Sequence, residues 1–170
     1  MANTYLAYLA AIPMSPGKTL VGIWNGHASD VVKVRKIFAF ANTVTPFEFR
    51  ETELVIRRCS SYSGGRELMT VKHDTTNPNL NSDIKPVTSG EWTDTSIITR
   101  KPVSMDDPAV GAATWPVFGE ATPVLGVMWD FGLKSNLRPL TLRQNEGCRL
   151  MNFGASDQGE YDAGIEFTVE

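Results

Sequence analysis

The closing stretch, 137-LRPLTLRQNEGCRLMNFGASDQGEYDAGIEFTVE-170, decides the fold class. From Tyr161 to Glu170 the residues alternate, with Ile165, Phe167 and Val169 against Glu166, Thr168 and Glu170. A period of two marks a strand with one buried and one wet face. Arg138 to Gln144 alternates in the same way, Leu140 and Leu142 opposing Thr141 and Arg143, and Cys148 to Phe153 runs between the two. Asn145-Glu146-Gly147 supplies one turn, with Gly147 free to take positive φ, and Gly154 to Gly159 supplies the next. No helical period of 3.6 fits. The expectation is three consecutive antiparallel strands forming a half-solvated sheet that closes the chain.

Upstream the same grammar repeats. Lys18 to Trp24 reads as a strand, followed by the turn signal Asn25-Gly26. Val31 to Phe40 puts Val32, Val34, Phe38 and Phe40 on one face, with Lys33, Arg35 and Lys36 making its middle basic. Thr52 to Tyr62 and Glu67 to His73 read as one long hairpin turned by Ser63-Gly64-Gly65. Asp74 to Ser89 is a polar loop, Trp92 to Lys101 a strand, Pro102 to Gly119 irregular, and Val124 to Phe131 extended again. Eight or nine strands with closely spaced turns predict an all-β fold: an antiparallel β-sandwich, jelly-roll-like. Met1 to Gly17 carries no charge and two prolines, and reads as an extended N-terminal arm preceding a single domain over 18–170.

Composition narrows the function classes. A chain of 170 residues buries a core without staples. A net charge of −3 gives no basic face for nucleic acid. No window approaches the roughly 18 apolar residues of a membrane span. Tyr5 to Ile12 lacks the basic lead-in of a secretion signal, so the protein is expected to be made and used in a cytoplasm or to leave it without a signal. Residues 1–75 hold nine Lys/Arg and six Asp/Glu, while 76–170 hold seven and thirteen, which concentrates acid at the C-terminus. That run reads as a solubilising edge or, more sharply, as a patch for a basic partner. Cys59 and Cys148 sit singly in strand-like runs and read as buried free thiols.

Catalytic motifs are scarce. Pro16-Gly17-Lys18-Thr19 ends like a phosphate-binding loop, but Ile12 occupies the position of the required first glycine and no helix follows. His27 and His73 are the only histidines and have no companion at metal-ligand spacing. Ser60 and Ser61 neighbour Cys59 without a base paired to them in sequence. Asp106-Asp107-Pro108 reads as a turn. Trp24, Trp92, Trp115 and Trp129 are dispersed, one per strand or strand edge, which fits core packing better than a sugar-binding surface. No catalytic residue, metal ligand or cofactor is expected.

The run Leu54-Val-Ile-Arg-Arg-Cys-Ser-Ser-Tyr-Ser-Gly-Gly-Arg-Glu, continuing as Val71-Lys-His-Asp-Thr-Thr-Asn-Pro-Asn-Leu, resembles a segment of structural proteins of tailed-bacteriophage virions. Arg138-Pro-Leu-Thr-Leu-Arg-Gln-Asn-Glu-Gly, Gly159 and the terminus Ile165-Glu-Phe-Thr-Val-Glu are similar to the closing hairpin of the same proteins. Together these cover roughly residues 50–80 and 137–170. The resemblance implies a β-sandwich virion component, a head decoration (cement) protein on the capsid surface. Its partners would be the major capsid protein and further copies of itself, as trimer or dimer, with no nucleic acid and no membrane. The candidate contact elements are the arm (Tyr5, Tyr8, Pro13, Pro16), the loop Asp74 to Ser89 (Asn77, Pro78, Asn79) and the Pro102 to Gly119 region (Trp115). Two alternatives stand beside it. A tail or baseplate component that binds a host glycan would show an exposed aromatic platform, with Trp92 and Trp115 the residues to inspect. A cupin-like jelly-roll enzyme would need a histidine-rich cluster inside the barrel.

Overall fold

A computed structural model describes residues 3–41, 50–105, 126–132, 139–154 and 159–170. Within these residues the chain is all-β, a sandwich of two antiparallel sheets. The strands in chain order are β1 (Asn3–Pro13), β2 (Thr19–Asn25), β3 (Val32–Ala41), β4 (Arg50–Ser63), β5 (Arg66–Glu67) and β6 (Thr70–Lys72). They continue as β7 (Ile84–Thr88), β8 (Glu91–Met105), β9 (Gly126–Asp130), β10 (Leu140–Leu142), β11 (Glu146–Asn152) and β12 (Glu160–Val169). One sheet runs β10-β3-β12-β1-β6, with β9 pairing the same strand β3 further along. The other runs β5-β7-β2-β11-β4-β8. The links β1–β2, β2–β3, β3–β4, β8–β9, β10–β11 and β11–β12 all cross between the sheets.

Strand alternation explains the core. Tyr5 and Ala7 of β1, Val32, Val34, Ile37 and Ala39 of β3, and Tyr161, Ala163, Ile165 and Phe167 of β12 face inward from the first sheet. They meet Val21 and Ile23 of β2, Leu54 and Ile56 of β4, and Cys148 and Leu150 of β11 from the second. Tyr5 stacks on Phe167 with centroids 5.6 Å apart. The exposed edge of the second sheet is β8, 15 residues long. Its register with β4 shifts at Ile56/Arg57, Arg58/Cys59 and Cys59/Ser61. Such bulges twist an edge and blunt its pairing with other chains.

Several expectations change. The segment read as an arm is β1, an interior strand. It pairs with β12 from Asn3↔Val169 to Pro13↔Glu160, and with β6 on its other side. Its uncharged residues supply Tyr5, Ala7 and Ile12 to the core and an apolar outer face at Leu6 and Tyr8, rather than reach. The proposed 52–73 hairpin does not form. Gly64 and Gly65 turn the chain at φ 67° and 84°, but both edges of β4 are taken by β11 and β8. The return segment splits, β5 joining β7 and β6 joining β1. The last three strands exist, yet β10 pairs β3, β11 lies in the opposite sheet, and β12 is central. Asn145, at φ 58°, makes the turn before β11, while Gly147 is buried inside that strand. Part of the 74–89 loop is β7.

Two consequences are measurable. Deleting Met1 to Gly17 removes a central strand and unpairs β12 and β6, so the truncated chain should lose cooperative thermal unfolding. Phe167→Ala should lower stability by about 3–5 kcal/mol in urea titration, the range for truncating a buried aromatic.

Candidate functional site

The outer face of the first sheet carries an apolar band. Alternation turns Tyr8 of β1, Phe38 and Phe40 of β3, Met128 of β9 and Val71 of β6 away from the core. Register aligns Tyr8, Gly164, Phe38 and Met128 across four strands. Gly164 is required there, because a Cβ would overlap the Phe38 ring and approach the Ala7 carbonyl at 3.0 Å. Phe38 and Phe40 pack together with centroids 5.6 Å apart. Tyr8 (45%), Phe40 (43%), Met128 (50%) and Val71 (55%) remain exposed on this one face, which gathers large apolar side chains instead of scattering them over the surface.

Beside the band the charges neutralise one another. Lys33 pairs with Glu170, and the register shift at Glu166/Phe167 brings both Lys36 (3.3 Å) and Arg35 (4.0 Å) to Glu166. Asp162 accepts from the Tyr8 hydroxyl at 3.2 Å and from the Ala11 amide at 3.0 Å. The basic middle of β3 and acidic residues of the C-terminal strand are thus partners across one ladder. Asp162, Glu166 and Glu170 do not form a free acidic patch.

The outer face of the second sheet is built on two glycines inside strands. At Gly22 a Cβ would lie 2.8 Å from Trp92 Cζ2, and at Gly147 it would lie 2.9 Å from Trp24 Cε3. The missing side chains leave a bed in which Trp92 lies. Tyr62 packs on Trp92 at 4.6 Å and on Trp24 at 6.4 Å between centroids. Trp92 Nε1 donates to the Ser89 carbonyl at 2.9 Å, which fixes this ring as support. Trp24 and Tyr62 line a cavity of about 500 Å³, walled by Ser63-Gly64-Gly65 and by Glu67, Asp83 and Lys85.

Next to the rings lies an ionic cluster. Arg149 donates to Asp94 through Nε at 2.8 Å and Nη2 at 2.7 Å, a bidentate pair, and its Nη1 reaches Thr19 Oγ1 at 3.1 Å. Arg57 Nη1 adds a 3.3 Å contact to Asp94 and its guanidinium sits 5.2 Å over the Phe153 ring. Cys59 donates to Asp94 at 3.5 Å. Burial, then the Asp94 carboxylate, pushes the Cys59 thiol up to about 12. Burial also raises Cys148. Both cysteines are free and buried, and a protonated thiol facing a carboxylate is a poor nucleophile.

The contact candidates scatter. Tyr5 is buried, its hydroxyl donating to the Pro78 carbonyl at 3.0 Å, so it anchors the 74–80 loop instead of meeting a partner. Tyr8, Pro13, Pro16, Pro78 and Asn79 are exposed, and only Tyr8 belongs to the apolar band. Asn77 is half-buried, donating to the Thr4 carbonyl at 3.2 Å. Trp115 and Asp106-Asp107-Pro108 lie outside the described residues. His27 is half-buried and accepts from the Asp30 amide at 3.1 Å, while His73 is exposed. Among the described residues no three His, Cys, Asp or Glu side chains group as metal ligands. Trp24 and Trp92, expected in the core, lie instead on the outer face of the second sheet, and Trp129 alone of the described tryptophans is buried; Tyr62 was not among the candidates. The local signal was Gly22 inside the Lys18 to Trp24 strand pattern, which marks close approach of another group, whereas Gly147 reads as a turn residue in the sequence. Compared with protein families, curated proteins and solved structures, the chain matches none.

Asp94→Asn should cost about 3–5 kcal/mol in denaturant titration, because two largely buried guanidinium groups lose their counter-charge. The thiols supply a pH test. The folded state holds the Cys59 proton more tightly than the unfolded chain, whose ordinary value is 9.0. The resulting stability is present below pH 9 and lost as pH rises toward about 12. The urea midpoint should therefore stay constant up to pH 9 and then fall. Ellman's reagent at pH 8 should label neither thiol until the protein unfolds.

Proposed function

We propose that the protein is a non-enzymatic virion structural component that coats the outside of a phage capsid and stabilises it. The observation that carries this reading is the band of Tyr8, Phe38, Phe40, Met128 and Val71. It is an apolar surface on a stiff hydrogen-bonded sheet, with the neighbouring charges already paired. A surface of that kind favours burial against another protein over interaction with water or polyanions. The capsid shell and further copies of this chain are the proposed partners, and repeated copies on a lattice turn weak contacts into avidity.

The path of the chain supports the same reading. Set aside β5, β6, β7 and β10, and the remaining sheets are β1-β12-β3-β9 and β2-β11-β4-β8. That winding is the one expected of a jelly roll, an architecture used by viral capsid proteins and also by lectins and cupins. The fold alone does not select among these, so the exposed band bears the argument.

Sedimentation of particles tests the proposal. The wild-type chain should co-sediment with capsids, and Phe40→Asp/Met128→Asp should lose at least tenfold in occupancy. Both side chains are about half exposed, so the variant should keep its melting temperature. A wild-type chain that stays free in the presence of capsids would remove the structural role.

A further inference from the structure

We infer that the cavity between Trp24 and Tyr62 is a binding site for a neutral saccharide. This goes beyond the structural role proposed above and does not depend on it. The volume of about 500 Å³ lies within the roughly 300–1,000 Å³ typical of small-ligand sites. The aromatic group is prearranged. Trp92 rests on Gly22 and Gly147 and spends its N–H on Ser89, which holds Tyr62, and Tyr62 in turn borders Trp24. Gly65 and Gly90 complete the seat, since a Cβ at either would lie within 2.9 Å of Tyr62 atoms. Both have positive φ, at 84° and 85°, which a side chain would strain.

The groups left over identify the ligand class. Among the described residues, the Tyr62 hydroxyl and Trp24 Nε1 make no hydrogen bond. Asp83 is held by an Asx turn, its amide donating to Asn81 Oδ1 at 3.0 Å and its carbonyl accepting from Gly26 at 2.9 Å. No cation pairs its carboxylate among those residues. Glu67 is 68% exposed and 3.7 Å from Lys85. The cavity therefore combines aromatic faces, two carboxylates, one ammonium and unspent donors. Pyranose rings have a flat face of C–H bonds that packs on aromatics, and adjacent hydroxyls that donate to carboxylates. Phosphate or sulfate would be repelled by the two acids against a single lysine. A nucleotide, which also stacks on aromatic rings, is disfavoured for the same reason. A purely apolar ligand would leave the Asp83 carboxylate and the Tyr62 and Trp24 donors without a partner in the cavity.

The test is titration of the full chain, followed by tryptophan fluorescence and by ¹⁵N–¹H shifts. The probes are neutral oligosaccharides (galacto-, gluco- and N-acetylglucosamine series), a sulfated oligosaccharide and AMP. At least one neutral series should bind, shifting the amides of Gly26, Gly64 and Gly65 and changing the Trp emission. Trp24→Ala should weaken that binding roughly 30-fold or more, as loss of an aromatic anchor does. Because Trp24→Ala also disturbs packing on Gly147, Glu67→Gln provides the second variant. It alters an exposed side chain and should weaken binding about tenfold with unchanged circular dichroism. Absence of binding to every neutral series at millimolar concentration overturns the inference. So does tighter binding of AMP or of the sulfated probe, or saccharide binding that neither variant weakens. Capsid co-sedimentation is read separately and is unaffected by any of these outcomes.

Discussion

The pairing of β1 with β12 is the constraint on which the rest depends. It places the first and last strands side by side in the middle of a sheet, with β6 beyond one and β3 beyond the other. β12 is hydrogen-bonded on both sides, by β1 and by β3, and β1 is held by β12 from Asn3 to Pro13 and by β6 over Tyr5–Ala7, so both strands are tied into the sheet. Tyr5 on Phe167 and Ala7 opposite Ile165 then seal the core under that seam. The same pairing sets the outer face. It brings Tyr8 beside Gly164, and Gly164 lets Phe38 lie flat next to it. The apolar band follows from how the two ends of the chain meet.

The two outer faces divide their chemistry. On the first sheet, cross-ladder ion pairs spend the charges locally and leave hydrophobic area exposed. Exposed pairs of this type contribute roughly 0–1 kcal/mol each, so their effect is mainly to cancel the field beside the band. On the second sheet, missing glycine side chains admit large rings, and Asp94 binds two arginines into one cluster. The ring bed and the ionic cluster share the strands β4, β8 and β11, with Asp94 two residues from Trp92 along β8. Rigidity there comes from different physics than in the core: stacking and charge-assisted hydrogen bonds instead of aliphatic interdigitation.

Fold class was legible because alternation is local. Ile165, Phe167 and Val169 announce a strand without reference to any other residue. Strand partners were not legible, because period 2 says which face is buried and nothing about the neighbour. A turn at Gly64-Gly65 suggested a hairpin, but a 15-residue β8 offers β4 far more ladder than a two-residue β5. The uncharged first segment suggested an arm for the reason that makes it a good central strand. Convergence of Trp24, Tyr62 and Trp92 was hidden for the same cause: β2, β4 and β8 come close only through the sheet order. Gly22, inside a strand pattern, was the local trace of it, and Gly147 looked like part of a turn.

The most direct measurement of the central seam is hydrogen–deuterium exchange resolved by residue. If β1 and β12 pair as neighbours, the amides of β12 and those β1 amides that donate to β12 or β6 should exchange together and only through global unfolding, with protection matching the free energy from urea titration. Exchange of the β1 amides within seconds, while β12 stays protected, would show the N-terminal segment to be a loose appendage. The account built on the seam would then fail.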